Sequence, residues 1–322
     1  MTVLVTAAGF QTTVQDCGRV GWRPFGVTPG GALDAATLRL ANLLVGNDET
    51  AAGLEIASGR VQLRFCDERL IAWGGGRFKV KIARDSSPPL RCACVAPGES
   101  CEILATHGRA WLAVSGGIDV PLVLGSRATD LRARFGGFNG RALRDGDELP
   151  LGARTQSELR IAAQITGRLA NWTGPYSSPA APERMTTLRT IRGQHWTAEA
   201  GAKLLEGNFR VAINSDRMGL RLEGKTIPRT HAGMLVSQPV TPGTIQLPTN
   251  GAPIVLLADC QTIGGYPRLA HVISVDLARA AQLQPMDYVR FELTTLGFAQ
   301  QLARQREREI AIFRAGIRTR FA

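Results

Sequence analysis

Glycine and proline break this chain so often that only short elements can form between them: 36 Gly and 17 Pro fall in 322 residues. The segments they leave are short and rich in β-branched residues. In the first half these are VQLRF (61–65), RLIAW (69–73), RFKVKI (77–82) and AWLAVS (110–115). In the second half they are FRVAI (209–213), GLRLE (219–223), PIVLLAD (253–259), HVISV (271–275) and DYVRFEL (287–293). Apolar and polar residues alternate with a period of two, as in strands with one buried face. Such strands between turn signals predict a mainly β fold built of barrels or sandwiches, with few short helices.

The clearest helix signal is GGALDAATLRLANLLVGN (30–47). Leu33, Leu40, Leu43 and Leu44 recur at helical spacing, and Gly46 is placed for a left-handed C-terminal cap, so a helix is predicted near 32–45. DLARAAQLQP (276–285) predicts a short helix with Asp276 as N-cap and Pro285 as stop. The tail from Leu296 predicts a third helix, Arg-rich and largely solvated. NWTGPYSSPAAPERM (171–185) lacks any apolar period and predicts a linker. The plan is a β-rich domain over 1–170, a linker over 171–186, a second β-rich domain over 187–295 and a helical tail over 296–322. No internal repeat is evident.

Composition narrows the function classes. The chain is 44% hydrophobic and 20% charged, ordinary for about two globular domains. No apolar run approaches the roughly 20 residues of a membrane span. The start, MTVLVTAAGFQTTVQD, lacks the basic and apolar regions of a signal peptide, so a cytoplasmic chain without a membrane partner is expected. A net charge of +11 raises the question of nucleic acid. All but four of the 38 basic residues are Arg, however, and they are scattered. Only QLARQREREIAIFRAGIRTRFA concentrates them, Glu307 and Glu309 interrupt it, and no basic run is interleaved with aromatics. No nucleic-acid partner is expected. The six Cys are few for this length, and Cys92-Ala-Cys94 with Cys101 falls short of the four ligands of a structural zinc site. Buried reduced thiols and no metal are expected.

One octet tests the motif approach. GLRLEGKT (219–226) fits the phosphate-loop pattern G-x-x-x-x-G-K-[ST]. That loop needs a buried strand ending at the first Gly and a helix starting at Gly-Lys-Thr. Here FRVAI ends early, Leu220 to Glu223 alternate as a strand does, and Ile227-Pro228 is no helix start. A strand and a turn are predicted. The chain also lacks G-x-S-x-G, H-E-x-x-H and G-x-G-x-x-G, and its four His (His107, His195, His231, His271) are far apart. His271 opens an apolar strand and reads as structural.

Longer segments carry more. GFQTTVQDCGRVGWRPFGVTPGGALDAATLRLANLLVGNDETAAGLEI (9–56) and SDRMGLRLEGK (215–225) are two of them. GTIQLPTNGAPIVLLADCQTIGGYPRLAHVISVDLARAAQLQPMDYVRF (243–291) is another, and VSGGIDVPLVLGSRATD (114–130) and GR-x-L-x-x-GD (140–147) add to the pattern. Together they resemble the allophanate hydrolase subunit 2 family, also called biotin-dependent carboxyltransferase-like, up to about Phe291. The resemblance implies a cyclophilin-like barrel architecture and a subunit 1 type partner. Members of the family include the C-type component of bacterial ATP-dependent 5-oxoprolinase. That enzyme works as a hetero-oligomer with a B-type partner, of the subunit 1 family, and a third, A-type protein, and with ATP and Mg in the complex. Its resemblance implies ring opening of 5-oxoproline to glutamate. Two other implied functions are a carboxyltransferase half using carboxybiotin on urea or a similar amide, and a non-enzymatic regulator of a kinase-inhibitor-like subunit 1 protein. None of the four Lys lies in a Met-Lys-Met biotinylation context.

Within these motifs polar residues sit beside glycines. Asp216, Arg217 and Asp259 are the candidate catalytic residues, the acids as base or orienter. Gln15, Asp16, Arg19, Gly31, Gln246, Gln261, Gly264, Gly265 and Tyr266 are the candidate substrate-binding residues. Arg19 or Arg217 would grip a carboxylate or phosphate. Gly31, before Asp34, would expose helix N–H groups to an anion. Gly264 and Gly265 would admit a substrate to the backbone. The chain departs from the family pattern at Cys260, where a basic residue is expected, and at Ile263, where Thr is expected. Met286 replaces the Gly of a Pro-Gly-Asp turn, which asks for a different turn.

Overall fold

The computed structural model describes residues 1–175, 185–228 and 235–321. Most of the predicted linker 171–186, and His231, lie outside the described residues. The chain divides into two compact units. The first gathers Met1–Arg19, Gly30–Ala181 and Arg308–Ala322, and the second gathers Val20–Pro29 and Pro182–Glu307. Sequence order alone puts 20–29 in the N-terminal domain and 308–322 in a separate tail. The α-helices are α1 (Ala35–Leu44), α2 (Gln156–Ala163), α3 (Ala198–Glu206), α4 (Leu277–Ala280) and α5 (Leu296–Arg320).

The first unit is built on a branched nine-stranded sheet. Its hub is the strand Ser100–Val114. One edge of the hub pairs with Ser58–Phe65 (Val61 opposite Ile103) and then with Gly53–Ile56 (Leu54 opposite Leu112). The other edge runs beside Arg69–Ile82 for almost its full length. The predicted segments 69–73 and 77–82 are therefore one strand. Gly75 makes this possible: its φ is +123°, and a Cβ there would lie 2.2 Å from the Arg109 carbonyl oxygen.

The run AWLAV is apolar without alternation because both faces of the hub are covered there. Leu112 and Val114 pack with Ile71 and Trp73 on one face. Ala113 packs with Leu70, Ala72 and the α1 residues Leu40 and Leu44 on the other. Asp34 caps α1 by accepting from Thr37 N–H at 3.1 Å, and Gly46 follows it with φ +78°, the left-handed cap its position predicted. In this unit Ile310, Phe313 and Ile317 of α5 join the same cluster as α1. The tail helix is thus less solvated than its Arg content predicts.

The second unit holds a closed seven-stranded barrel. Around it run Met185–Arg192, Arg268–Val272, Thr244–Gln246, Ile254–Leu256, Gly219–Glu223, Phe209–Val211 and Tyr288–Leu293. The last strand closes the barrel against the first in parallel, Met185 opposite Tyr288. The mainly β fold with a barrel is what the sequence predicted. Leu188, Phe209, Val211, Leu222, Ile245, Val255, Val289 and Phe291 are its buried apolar set, with the Phe209 and Phe291 rings 5.9 Å apart. Truncating Phe209 to Ala would cost about 3–5 kcal/mol at such a site.

A pair of short strands, Gln238–Pro239 and Ile263–Gly264, lies outside the barrel ladder. Asp276 precedes α4 as predicted, but its carboxylate does not cap the helix. It accepts instead from Arg189 N–H at 2.8 Å and Arg189 Nε at 2.9 Å. Met286 also departs from expectation. It keeps the left-handed turn with φ +78°, where a different turn was expected of a non-glycine residue.

Candidate functional site

The candidate residues of the first unit are engaged in holding its loops. Asp16 accepts from Gly18 N–H at 2.7 Å, from Ser126 Oγ at 2.6 Å and from Arg127 N–H at 2.6 Å. Gln15 is fully buried, and its Nε2 donates to Thr13 Oγ1 and the Thr129 carbonyl. Arg19 donates to the carbonyls of Val123 and Ala128, and its guanidinium lies 4.5 Å from the Phe135 ring centre. Gly31 has φ +84°, and a Cβ there would meet Gly18 N at 2.7 Å, so close backbone packing demands the glycine. The anion site expected at the start of α1 is already filled by the protein's own carboxylates. Asp34 takes Thr37 N–H, and Glu55 Oε2 takes Leu33 N–H at 3.0 Å. All four thus take part in contacts that hold the loops of the first unit.

In the second unit the candidates separate into two groups. Arg217 and Asp259 form a bidentate pair, Nε to Oδ2 at 2.8 Å and Nη2 to Oδ1 at 3.0 Å. Their side chains are 3% and 9% exposed. The Asp259 N–H also donates to the Arg217 carbonyl at 3.0 Å, tying the two segments together twice. In a buried bidentate pair of this kind each charge is held by the other.

Asp216, Gln246, Gln261 and Tyr266 all line one cleft of about 530 Å³ on the barrel. Asp216 is exposed, and its Oδ1 accepts from Met218 N–H at 2.8 Å, which fixes the turn before the strand Gly219–Glu223. Tyr266 is 46% exposed. Gln246, at the end of its strand, is 1% exposed, and its Oε1 accepts from Gln261 Nε2 at 3.2 Å. Its Nε2 is buried and has no hydrogen-bond partner among the described residues. Gly264 packs against this amide: a Cβ there would lie 2.6 Å from Gln246 Nε2. Any other residue at 264 would fill the space in front of the open donor. Gly265 is near the Leu235 carbonyl, where a Cβ would lie at 3.2 Å.

Sequence reasoning missed Arg23. It stands in the short 3₁₀ turn Arg23–Phe25, which belongs to the second unit. One nitrogen, Nη2, donates to the Val240 carbonyl. The guanidinium lies beside the Cys260 thiol. Burial pushes that thiol up to about 11, and Arg23 partly opposes the rise. A cation therefore stands beside Cys260, the position where a basic residue was expected, but it comes from a distant segment. The other nitrogen, Nη1, is buried and without a partner among the described residues. No spacing signal pointed to it, since Arg23 is an isolated Arg between Trp22 and Pro24.

His271 lies in the strand Arg268–Val272 beside Thr244 Oγ1, at 3.4 Å, and burial lowers its pKa. His195 Nδ1 accepts from Arg268 N–H at 3.1 Å. GLRLE is a barrel strand over Gly219–Glu223, paired with Ile254–Leu256, so the octet does not cradle phosphate. Among the described residues no three His, Cys, Asp or Glu side chains are grouped to hold a metal. Among the described residues no helix is long and apolar enough to cross a membrane.

Residues 25–293 match the family described as carboxyltransferase domain, subdomain A and B. The chain belongs to this family. Within the carboxyltransferase-domain family it is similar to the C-type component of 5-oxoprolinase from Escherichia coli K12, at 38% identity over 308 residues. That match spans 90% of this chain and 91% of the relative. It is also similar to urea amidolyase of Lachancea kluyveri, at 30% identity over 97% of this chain but 18% of that much longer protein. The crystal structure of Kluyveromyces lactis urea carboxylase matches 97% of this chain and 29% of its own, with a TM-score of 0.87 and 28% identity. This chain therefore spans nearly all of the bacterial relative and under a third of the yeast ones.

Proposed function

We propose that this chain is the C-type component of an ATP-dependent 5-oxoprolinase, acting with B-type and A-type partner proteins. The complex opens the lactam of 5-oxoproline to glutamate. The single observation that carries this reading is the open Nε2 donor of Gln246, buried in the cleft. A buried amide N–H without an acceptor is costly, and a carbonyl oxygen placed there relieves the cost. Hydrogen bonding to the lactam oxygen draws electron density away from the amide carbon and stabilises charge that develops on that oxygen. Gln261 holds the Gln246 amide in place, so the donor is pre-oriented. Asp216 is the one candidate acid that is both exposed and on the cleft, and it orients the incoming nucleophile. The match to nearly the full length of a C-type 5-oxoprolinase component supports the same reading.

The match to urea carboxylase supports a second reading, transfer of a carboxyl group from carboxybiotin to urea or a similar amide. It uses the same donor on the same kind of carbonyl. Reconstitution separates the readings. The chain is combined with its B- and A-type partners, and ATP hydrolysis is followed with and without 5-oxoproline. Turnover that needs both 5-oxoproline and this chain supports the proposal. Turnover only with urea and a carboxylated biotin carrier supports the second reading. Stable partner binding with no turnover rejects both in favour of a regulator.

A further inference from the structure

Three neighbouring barrel strands set one wall of the cleft. Arg221, on Gly219–Glu223, pairs with Ile254, and Ile254 pairs on its other side with Gln246 at the end of Thr244–Gln246. Residues directly opposite each other across antiparallel strands share one face of the sheet. Arg221, Ile254 and Gln246 therefore form one row, and all three line the cleft. Opposed Cα atoms lie about 5 Å apart, so Arg221 stands roughly 10 Å from Gln246 across the apolar Ile254, a gap that a long Arg side chain can largely cross. Among the described residues that line the cleft, Arg221 is the one Arg, Lys or His. Its backbone is fixed: the N–H donates to Ser215 Oγ at 3.0 Å, and the carbonyl accepts from Ala212 N–H at 2.8 Å. No acidic side chain among the described residues pairs with its guanidinium. The acid two residues on, Glu223, is taken by Arg210 Nη2 at 2.6 Å.

We propose that Arg221 takes the carboxylate that opening of the amide creates, so that the cleft holds its ring-opened product by a contact the lactam does not make. The proposal rests on the reading of this cleft as a lactam site and adds which residue meets the new charge. In the opening, the oxygen of water adds to the carbonyl carbon and the ring C–N bond breaks, its electron pair staying on nitrogen. Both protons of that water end on the nitrogen. A neutral amide thus becomes a carboxylate and an ammonium group. Gln246 Nε2 is a single neutral donor, which suits a carbonyl oxygen but does not match a full charge spread over two oxygens. Its Oε1 is already held by Gln261. The guanidinium along the same row supplies both the missing charge and a fork of two N–H donors. A contact made to the charged form and not to the neutral lactam also lowers the barrier as that charge develops. Asp216, the exposed acid on the same cleft, has the wrong sign for this role.

The test compares 2-pyrrolidinone with 4-aminobutanoate, a lactam and its own opened form, so that the created carboxylate is the only one present. Binding of each to the full chain is measured by ligand-observed NMR. The wild-type chain is expected to bind 4-aminobutanoate at least about tenfold more tightly. Arg221→Gln is expected to erase that preference, Arg221→Lys to keep part of it, and 5-oxoproline to bind Arg221→Gln as it binds wild type. Arg221 is exposed, so the variants are expected to fold, which their melting temperatures check. Equal binding of the two probes by the wild-type chain overturns the proposal, as does failure to bind 4-aminobutanoate or a preference that survives Arg221→Gln. An Arg221→Gln chain that loses 5-oxoproline as strongly as 4-aminobutanoate also overturns it, because Arg221 would then hold the carboxylate the substrate already carries. Turnover by the reconstituted complex is read separately. An Arg221-dependent preference without 5-oxoproline turnover keeps the subsite and rejects the assigned reaction. Turnover without that preference does the reverse.

Discussion

Arg217 and Asp259 looked catalytic in the sequence and are paired with each other in the structure, and that difference is measurable. The pair is bidentate, at 2.8 and 3.0 Å, with side chains 3% and 9% exposed. An exposed ion pair is worth about 0–1 kcal/mol, but removing one member of a buried pair strands the other charge and costs about 3–5 kcal/mol. Arg217→Met should therefore destabilise the protein by about 3–5 kcal/mol. Replacing both members, Arg217→Met with Asp259→Leu, should recover most of that loss, because no charge is left behind. Urea unfolding followed by circular dichroism reads this directly. With a slope of about 2 kcal/mol per molar urea, the single variant should lower its midpoint by roughly 2 M. The reasoning is refuted by an Arg217→Met chain as stable as wild type whose reconstituted complex is inactive. That result would mark Arg217 as a catalytic group.

Four further outcomes follow. Met286 holds φ +78°, a conformation that costs a non-glycine residue about 1–2 kcal/mol, so Met286→Gly should stabilise by about 0.5–1 kcal/mol after glycine's extra chain entropy, read as a raised urea midpoint. Asp34→Ala removes the α1 N-cap and should cost about 1 kcal/mol, read from thermal unfolding. Burial holds the His271 pKa below the usual 6.5, so the folded state resists its protonation. Stability should be full above pH 6.5 and fall as pH drops from there toward the folded-state pKa; NMR titration should place the ring midpoint below 6.5, and His271→Asn should flatten that slope. Lys225→Ala should leave ATP affinity of the reconstituted complex unchanged, because the residues before it form a barrel strand; loss of nucleotide binding by a folded variant would contradict this.

The β architecture was legible because local pattern and burial agree. In GLRLE the leucines are buried while Arg221 and Glu223 are exposed, and the strand ends where the alternation ends. The helix α1 was equally clear, since its leucine spacing, its preceding Asp34 and the following Gly46 all point the same way. Two helices were not foreseen. Thr155 and Thr197 cap α2 and α3 by accepting from the N–H groups of Glu158 and Ala200, yet both helices are short and bury few residues. The run Trp73 to Arg77 broke one strand into two on paper, because a glycine-rich stretch reads as a turn until the partner strand is known.

The candidate site was legible only in part, for a related reason. Residue type and motif singled out Asp216, Gln246, Gln261 and Tyr266, which the barrel brings to one cleft. The same reasoning chose Asp16, Arg19, Arg217 and Asp259, which are bonded to residues far along the chain, such as Asp16 to Ser126 and Arg217 to Asp259. Whether a polar atom is spent or open depends on its partners in space. Arg23 shows the converse: nothing in its local sequence marks it, and its contacts are with Val240 and Cys260, far along the chain.

The most direct test of the account is the isosteric change Gln246→Met in the reconstituted complex, with folding of the variant checked by its melting temperature. The side-chain volume is kept and the open donor is lost. Removal of one such donor from a developing oxyanion lowers turnover by roughly 10²–10³-fold, and 5-oxoproline-dependent ATP hydrolysis is predicted to fall by that order. A folded Gln246→Met complex that turns over 5-oxoproline at the wild-type rate would contradict the account.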